Sequence, residues 1–211
     1  IGHALSEHYL SKGYQVIGCS RKGAEFNTRH YQHFCLDVAD EGKVKAMFSE
    51  IRKRYGRLDI LVNNAAVNLT IGPAMLNSLA AVSQTMETNF LGTYLMSREA
   101  AKLMTGRAFG RIINMGSMAV RHEVPGESVY TASKSAVIAF SRTFAKEIHK
   151  LGITCNVLAP SAIETELSQQ VDRKGLSEVL NRNAIPEFGT VNDVCSAIDW
   201  LIRPESNAIT G

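Results

Sequence analysis

The sequence has no apolar run long enough to cross a bilayer and no segment built like a signal peptide, so the expectation is a protein of the cytoplasm. Cysteine is sparse. Cys19, Cys35, Cys155 and Cys195 are scattered, none in C-x-x-C spacing, and three of them lie in strand-like apolar runs where a free thiol behaves as a small hydrophobe. That spacing argues against disulfides and against zinc, and it fits a reducing compartment. The six histidines are mostly dispersed; His30 and His33, with Cys35 close behind, match no zinc-site spacing, so no metal is expected. Charge of one sign is also lacking. With 23 Lys+Arg against 20 Asp+Glu the net charge is only +3, and no basic run interleaves with aromatics, so neither nucleic acid nor a membrane surface is an expected partner. Internal repeats, low-complexity tracts and linkers are absent, and residues 1–211 are read as one domain.

What remains is an ordinary globular composition, 45% apolar and 20% charged, arranged in a regular alternation. Helical spacing of Ala4, Leu5, Tyr9 and Leu10 is closed by Gly13 and followed by a short apolar run to Cys19. A second strand is expected over about Gln32 to Leu36, then an amphipathic helix from Glu41 to Tyr55 with Val44, Met47, Phe48 and Ile51 on its inner face. A third strand runs from Leu58 to Asn63, and one long helix is expected from about Ser78 to Met104. Arg111 to Ser117 reads as a strand, Ser128 to Lys150 as a helix, Ile153 to Leu158 as a strand and Val191 to Ile202 as a last helix. Most of the strands are continuous apolar runs rather than alternating ones. That predicts a parallel sheet covered on both faces, a doubly wound α/β fold, in which ligands bind beyond the carboxyl ends of the strands. Ser20-Arg21, Asp37, Asn63, Ser117 and Pro160 all fall at strand ends.

Tyr130 and Lys134 stand four residues apart at the start of the Ser128–Lys150 helix, which puts both side chains on one face. A phenol titrates near ~10, and a neighbouring ammonium favours the phenolate, so the pair could deliver a proton to a developing alkoxide or take one from an alcohol.

Five patterns in chain order then resemble the short-chain dehydrogenase/reductase family. They are Asn63-Asn64-Ala65-Ala66, Asn89 within Thr88-Asn89-Phe90-Leu91-Gly92, Ser117 thirteen residues before Tyr130, Tyr130-x-x-x-Lys134, and Pro160-Ser161-Ala162-Ile163-Glu164-Thr165. The resemblance covers essentially the whole chain and implies a Rossmann-like fold. It departs in four places. Of the family's opening strand and T-G-x-x-x-G-x-G loop only Ile1-Gly2 is present, and the final strand, expected after Gly211, is absent as well. The first of these strands would be central in the sheet, which makes a chain lacking both ends the expected reading. Ala66 replaces the usual glycine, and Ser161 replaces the glycine that usually follows the proline.

The resemblance also implies roles. Tyr130 would be the general acid in carbonyl reduction, and Lys134 would lower its pKa and hold the nicotinamide ribose. Ser117 would hydrogen-bond the substrate oxygen, so substrate contacts fall to Ser117 and Tyr130. Asn89 would kink its helix and anchor a water linked to the lysine. Ile1 belongs to the pyrophosphate loop, Asp37 and Val38 would meet the adenine, and Asn63, Ala65 and Ala66 would let the backbone approach the cofactor. Pro160, Ile163 and Thr165 would lie near the nicotinamide, the last two at its carboxamide. At Ser20-Arg21-Lys22 no carboxylate is available for a ribose 2′-hydroxyl, and two cations follow, which favours NADP(H) over NAD(H). The expected activity is NADPH-dependent reduction of a carbonyl, most like the 3-oxoacyl-carrier-protein reductases. The alternatives are a dehydrogenase of a sugar, polyol or other small alcohol and, as a different class, a non-catalytic nucleotide-binding protein. The segment from Glu164 to Phe188 is expected to cover the substrate. The helices over Ser78–Met104 and Ser128–Lys150 are expected to build a homodimer or homotetramer, with Leu79, Val82, Met86, Phe90, Leu95 and Met96, and Val129, Val137, Phe140 and Phe144, in excess of what the sheet needs.

Overall fold

A computed structural model describes residues 1–24, 26–163 and 180–211. The apolar runs form parallel strands, as their continuous hydrophobicity requires. β1 (Val16–Ser20) pairs with β2 (Tyr31–Cys35), Val16 opposite Tyr31. β3 (Ile60–Asn63), β4 (Gly110–Met115) and β5 (Ile153–Leu158) form a second group in that order. Between them run α1 (Gly2–Ser11), α2 (Glu41–Tyr55), α3 (Leu79–Met86), α4 (Gly92–Met104), the short α5 (Ala119–His122), α6 (Ser128–Ile148) and α7 (Val191–Leu201).

Both faces of the sheet are covered, and neighbouring residues divide between them. Leu61 and Ile112 face one core, built with Val44, Met47 and Phe48 of α2, Met96 and Ala100 of α4 and Ala145 of α6. Ile60, Val62 and Ile113 face the other, built with Leu5 and Tyr9 of α1 and Val194 and Ile198 of α7. This is the doubly wound arrangement. The single sheet expected from the sequence is divided, however. Among the described residues β1 and β3 share no ladder. The chain's last residues run along β5: Gly211 donates to the Cys155 carbonyl at 2.9 Å, and the Asn156 amide donates to Ile209 at 2.9 Å.

The long helix expected from Ser78 is interrupted. Ser78 caps α3 by accepting from Ala81 N, and Glu87–Leu91 then forms a π turn before α4 begins. Asn89 lies inside that turn, fully buried, with both ends of its amide bonded to the backbone of Val67 on another segment: Val67 N donates to its Oδ1 at 2.8 Å and its Nδ2 donates to Val67 O at 2.9 Å. A side chain that bonds both backbone groups of a residue on another segment must sit at a set depth, and widening one turn of the helix is a way to reach it. Among the described residues no helix is long and apolar enough to cross a membrane.

Candidate active site

Four segments meet where β4 and β5 end. Ser117 lies two residues past β4, and its hydroxyl accepts from Ala119 N at 3.1 Å, starting the turn into α5. Gly116 N donates to Leu158 O at 2.8 Å and Met118 N to Pro160 O at 3.0 Å, so the exit of β5 is tied to the Ser117 turn. Tyr130, 9% exposed, and Lys134, 3% exposed, rise from the first turns of α6. The Lys134 ammonium donates to the carbonyl of Met115, the last residue of β4, at 2.9 Å, pinning the helix to the strand end. Ser133 donates to Tyr130 O at 2.7 Å and accepts from Asn89 Nδ2 at 3.0 Å. Asn89, Ser117, Tyr130 and Lys134 are thus brought together, with Ser133 and the Val67 backbone as links that the sequence reading did not single out. Ser133 was findable, because a serine three residues after Tyr130 on a helix can bond back to its carbonyl.

Burial pushes the Tyr130 phenol above its ordinary value. The Ser117 hydroxyl opposes that rise, and the Glu127 carboxylate adds to it. The expected lowering of Tyr130 by Lys134 is therefore corrected. The ammonium lies 5.8 Å from the ring centroid and is turned to Met115, and the group that does pull the phenol down is Ser117. Burial also acts on Lys134, bringing it down to about 8. Glu127 is held up by burial, against a 3.4 Å contact from the Asn68 amide.

Lys134 gives a prediction with a definite sign. Its folded-state value lies below the ~10.4 of a free lysine, so the unfolded chain holds a proton that the folded chain releases between pH ~8 and ~10.4. Stability rises with pH through that window, and below it the folded state carries the full cost of a buried ammonium. Lys134→Met should therefore be more stable than the parent at pH 7 by about 1–3 kcal/mol, with the gap closing toward pH 10. Urea unfolding at both pH values checks it; a gap that widens with pH would contradict it.

The residues expected at the cofactor are placed as follows. Ser20, Arg21 and Lys22 form an exposed turn at the end of β1. The Ser20 hydroxyl is committed within it, donating to Lys22 O, so the serine shapes the turn rather than offering a free donor. Asp37 caps its own turn, accepting from Ala39 N at 2.9 Å. Val38 is 8% exposed and packs on Gly92, where a Cβ would come within 2.5 Å of it. Asn63 is directed inward. Its amide donates to Asn114 Oδ1 at 2.8 Å and Ser97 Oγ at 2.9 Å, and Asn114 passes the network to Ser141 at 2.8 Å, so any approach to cofactor at this strand end belongs to the backbone. Ala65 is exposed, and Ala66, Ile1 and Pro160 are half-buried. Ile163 packs its side chain into the core around α1 and α7. Thr165 lies outside the described residues, as does most of the expected substrate cover; of its apolar members Ile185 and Phe188 are exposed.

Two observations fit a dinucleotide here. A Cβ on Gly2 would stand 2.9 Å from Asn64 Nδ2, so the first turn of α1 lies against the Asn64 side chain just past β3, beside a helix N-terminus suited to phosphate. The Lys134 ammonium has three N–H donors and only the Met115 carbonyl as acceptor among the described residues, which leaves donors for a ribose diol.

A Rossmann-like sheet with a serine past a strand end and a tyrosine–lysine pair on the adjoining helix fits an oxidoreductase, and the comparisons with known proteins agree. A family model described as enoyl-(acyl carrier protein) reductase matches residues 1–211. The chain is 36% identical over 220 residues to a 3-oxoacyl-[acyl-carrier-protein] reductase of Bos taurus, covering 100% of this chain and 89% of that one. Among solved structures it is similar to ElxO with NADP bound (TM-score 0.89, 30% identity, 99% of this chain and 89% of that one). It is also similar to a 4-hydroxyisoleucine dehydrogenase complexed with NADH (TM-score 0.87, 26% identity, 100% and 88%). The chain belongs to the short-chain dehydrogenase/reductase family, and it is an NAD(P)-dependent oxidoreductase acting on CH–OH groups.

Proposed function

We propose that the protein reduces the ketone of a 3-oxoacyl thioester to a secondary alcohol, with NADPH as the preferred cofactor. The observation that carries this reading is the meeting of Ser117, Tyr130 and Lys134 at the ends of β4 and β5. Bound at these strand ends, the reduced nicotinamide supplies the hydride. Tyr130, its pKa raised, is protonated at neutral pH and gives its phenolic proton to the oxygen of the former carbonyl. With substrate bound, Ser117 gives its one hydroxyl proton to a hydrogen bond with that oxygen; in the free site the same hydroxyl opposes the rise in the Tyr130 pKa. Lys134 holds the cofactor ribose with the donors that Met115 leaves unfilled. Asn89 and Ser133 hold the first turn of α6 against the π turn, so that the phenol keeps its place. The exposed cations Arg21 and Lys22 favour a 2′-phosphate.

The likeness to the bovine 3-oxoacyl reductase supports the thioester, and that to an NADH-bound 4-hydroxyisoleucine dehydrogenase supports the second reading, a dehydrogenase of a small alcohol. A non-catalytic protein is disfavoured, because Asn89, Ser117, Tyr130 and Lys134 are all present and close together. Oxidation of NADPH by the intact protein, followed with an acetoacetyl thioester, an enoyl thioester and simple ketones, and NADP reduction with small polyols, separates these readings. Turnover fastest with the 3-oxo thioester is expected; turnover confined to polyols would overturn the substrate assignment.

We also propose a homodimer or homotetramer, with a narrower contact than the sequence suggests. Leu95, Met96 and Val137 belong to the molecule's own core, whereas Leu79, Leu91 and Tyr94 are exposed, and Tyr94 lies 5.8 Å from the half-buried Phe140 ring. Sedimentation of the intact protein as a monomer at micromolar concentration would exclude that assembly.

A further inference from the structure

His33 stands in the middle of β2 and has no part in the chemistry above, yet both of its ring nitrogens are engaged. Nε2 lies 3.0 Å from the Lys22 carbonyl oxygen and 3.1 Å from Ser20 Oγ, and Nδ1 lies 2.9 Å from the Tyr31 hydroxyl. A carbonyl only accepts, so Nε2 carries the proton of the neutral ring. The Ser20 hydroxyl donates to the same carbonyl, which leaves its lone pairs to accept from Nε2–H. Nδ1 is then the acceptor, and the Tyr31 phenol donates to it. The donors therefore run in one direction, from Tyr31 through His33 to the Lys22 carbonyl.

The neighbouring residues keep this chain in place. His33 pairs in register with Gly18, and a Cβ on Gly18 would stand 2.2 Å from the Tyr31 oxygen, so only glycine lets that phenol reach across β1. The Tyr31 ring lies 4.3 Å from Phe26, which stacks at 4.7 Å on His3 of α1.

The Lys22 carbonyl is thus held toward the sheet by two donors. A trans peptide is planar with its N–H opposed to its C=O, so the Gly23 N–H is turned the other way, away from His33. Lys22, which supplies the carbonyl of that peptide, and Arg21 just before it are both exposed. We propose that His33 is a positioning residue for cofactor choice: by holding the Lys22 carbonyl inward, it sets the turn that presents Arg21, Lys22 and the Gly23 N–H to the 2′-phosphate of NADPH. This rests on the reading of the Ser20-Arg21-Lys22 turn as the phosphate site. NADH has no group at that position, so a disordered turn costs it little.

The experiment is a fluorescence titration of NADPH and NADH into the intact protein and three variants. His33→Phe keeps a ring and removes the donor, and His33→Gln restores an N–H that can reach the Lys22 carbonyl. Tyr31→Phe removes the donor to Nδ1 and tests the same chain from its far end, should His33→Phe not fold. His33→Phe should weaken NADPH binding about three- to tenfold, the range expected for one lost hydrogen bond, with a smaller change for NADH. His33→Gln should recover most of the loss, and Tyr31→Phe should move the ratio of the two affinities in the same direction. Equal loss for both cofactors, or an unchanged ratio, overturns the proposal while leaving the phosphate site standing. An unmodified protein that prefers NADH overturns the phosphate site itself.

Discussion

Replacing Tyr130 by phenylalanine should reduce turnover by roughly 10²–10⁴-fold, the range typical of a lost general acid. The substitution removes one oxygen and keeps the ring that α6 packs, so the fold and NADPH affinity should be nearly unchanged. Because burial raises the phenol's pKa, the parent's carbonyl reduction should be level through neutral pH and fall only in alkali, as the phenol ionises. Oxidation of the alcohol, which needs the phenolate, should rise over the same range. The Ser117 hydroxyl opposes the rise in pKa, so Ser117→Ala should shift both limbs to higher pH as well as slow the reaction. Steady-state rates in both directions from pH 6 to 11 measure all of this. If Tyr130→Phe keeps more than about a tenth of the parent rate, the phenol is not the acid.

Arg21→Ala should weaken NADPH binding by about ten- to a hundredfold and leave NADH almost untouched. A charge-assisted contact with phosphate is worth roughly 1.5–3 kcal/mol, and each ~1.4 kcal/mol is a factor of ten. Lys22, next in the same exposed turn, can take over part of the contact, which reduces the effect without reversing it. Ser20→Asp should go further. It sets a carboxylate at the end of β1, which repels the 2′-phosphate and offers an acceptor to the free 2′-hydroxyl of NADH. It also removes the hydroxyl that donates to the Lys22 carbonyl, so the turn loses one of its two inward ties. Kinetics with both cofactors on the parent and the two variants decide the matter. A parent that already prefers NADH would refute this reading of the turn, and the chemistry at Tyr130 would be unaffected.

Much of this was legible in the chain itself, because it depends on short-range order. The alternation of apolar runs with helical spacing gave the doubly wound class, since a strand buried on both faces must be apolar throughout. The spacing of Tyr130 and Lys134 put them on one helix face before any contact was known, because helix geometry is set locally. Strand ends were also readable, and with them the site, because parallel strands bring their carboxyl ends to one edge.

Other features depended on which groups came to lie nearby in space. The direction of the Tyr130 shift is one: sequence showed an ammonium four residues away, but burial and the Met115 carbonyl, nineteen residues from Lys134, decided where that ammonium points and what it does. Asn63 is another, a motif residue whose amide is taken by Asn114 and Ser97 rather than turned to the site. The π turn at Asn89 and the tie from His33 to Lys22 have the same origin. A polar side chain shut away from water must find a partner, and which partner is within reach is a property of packed segments rather than of neighbours in sequence. The amino-acid order thus determined the class of fold and the residues gathered at its strand ends, while only the tertiary structure decided the protonation, orientation and support of those residues, because burial and long-range hydrogen bonds exist only once the segments have met.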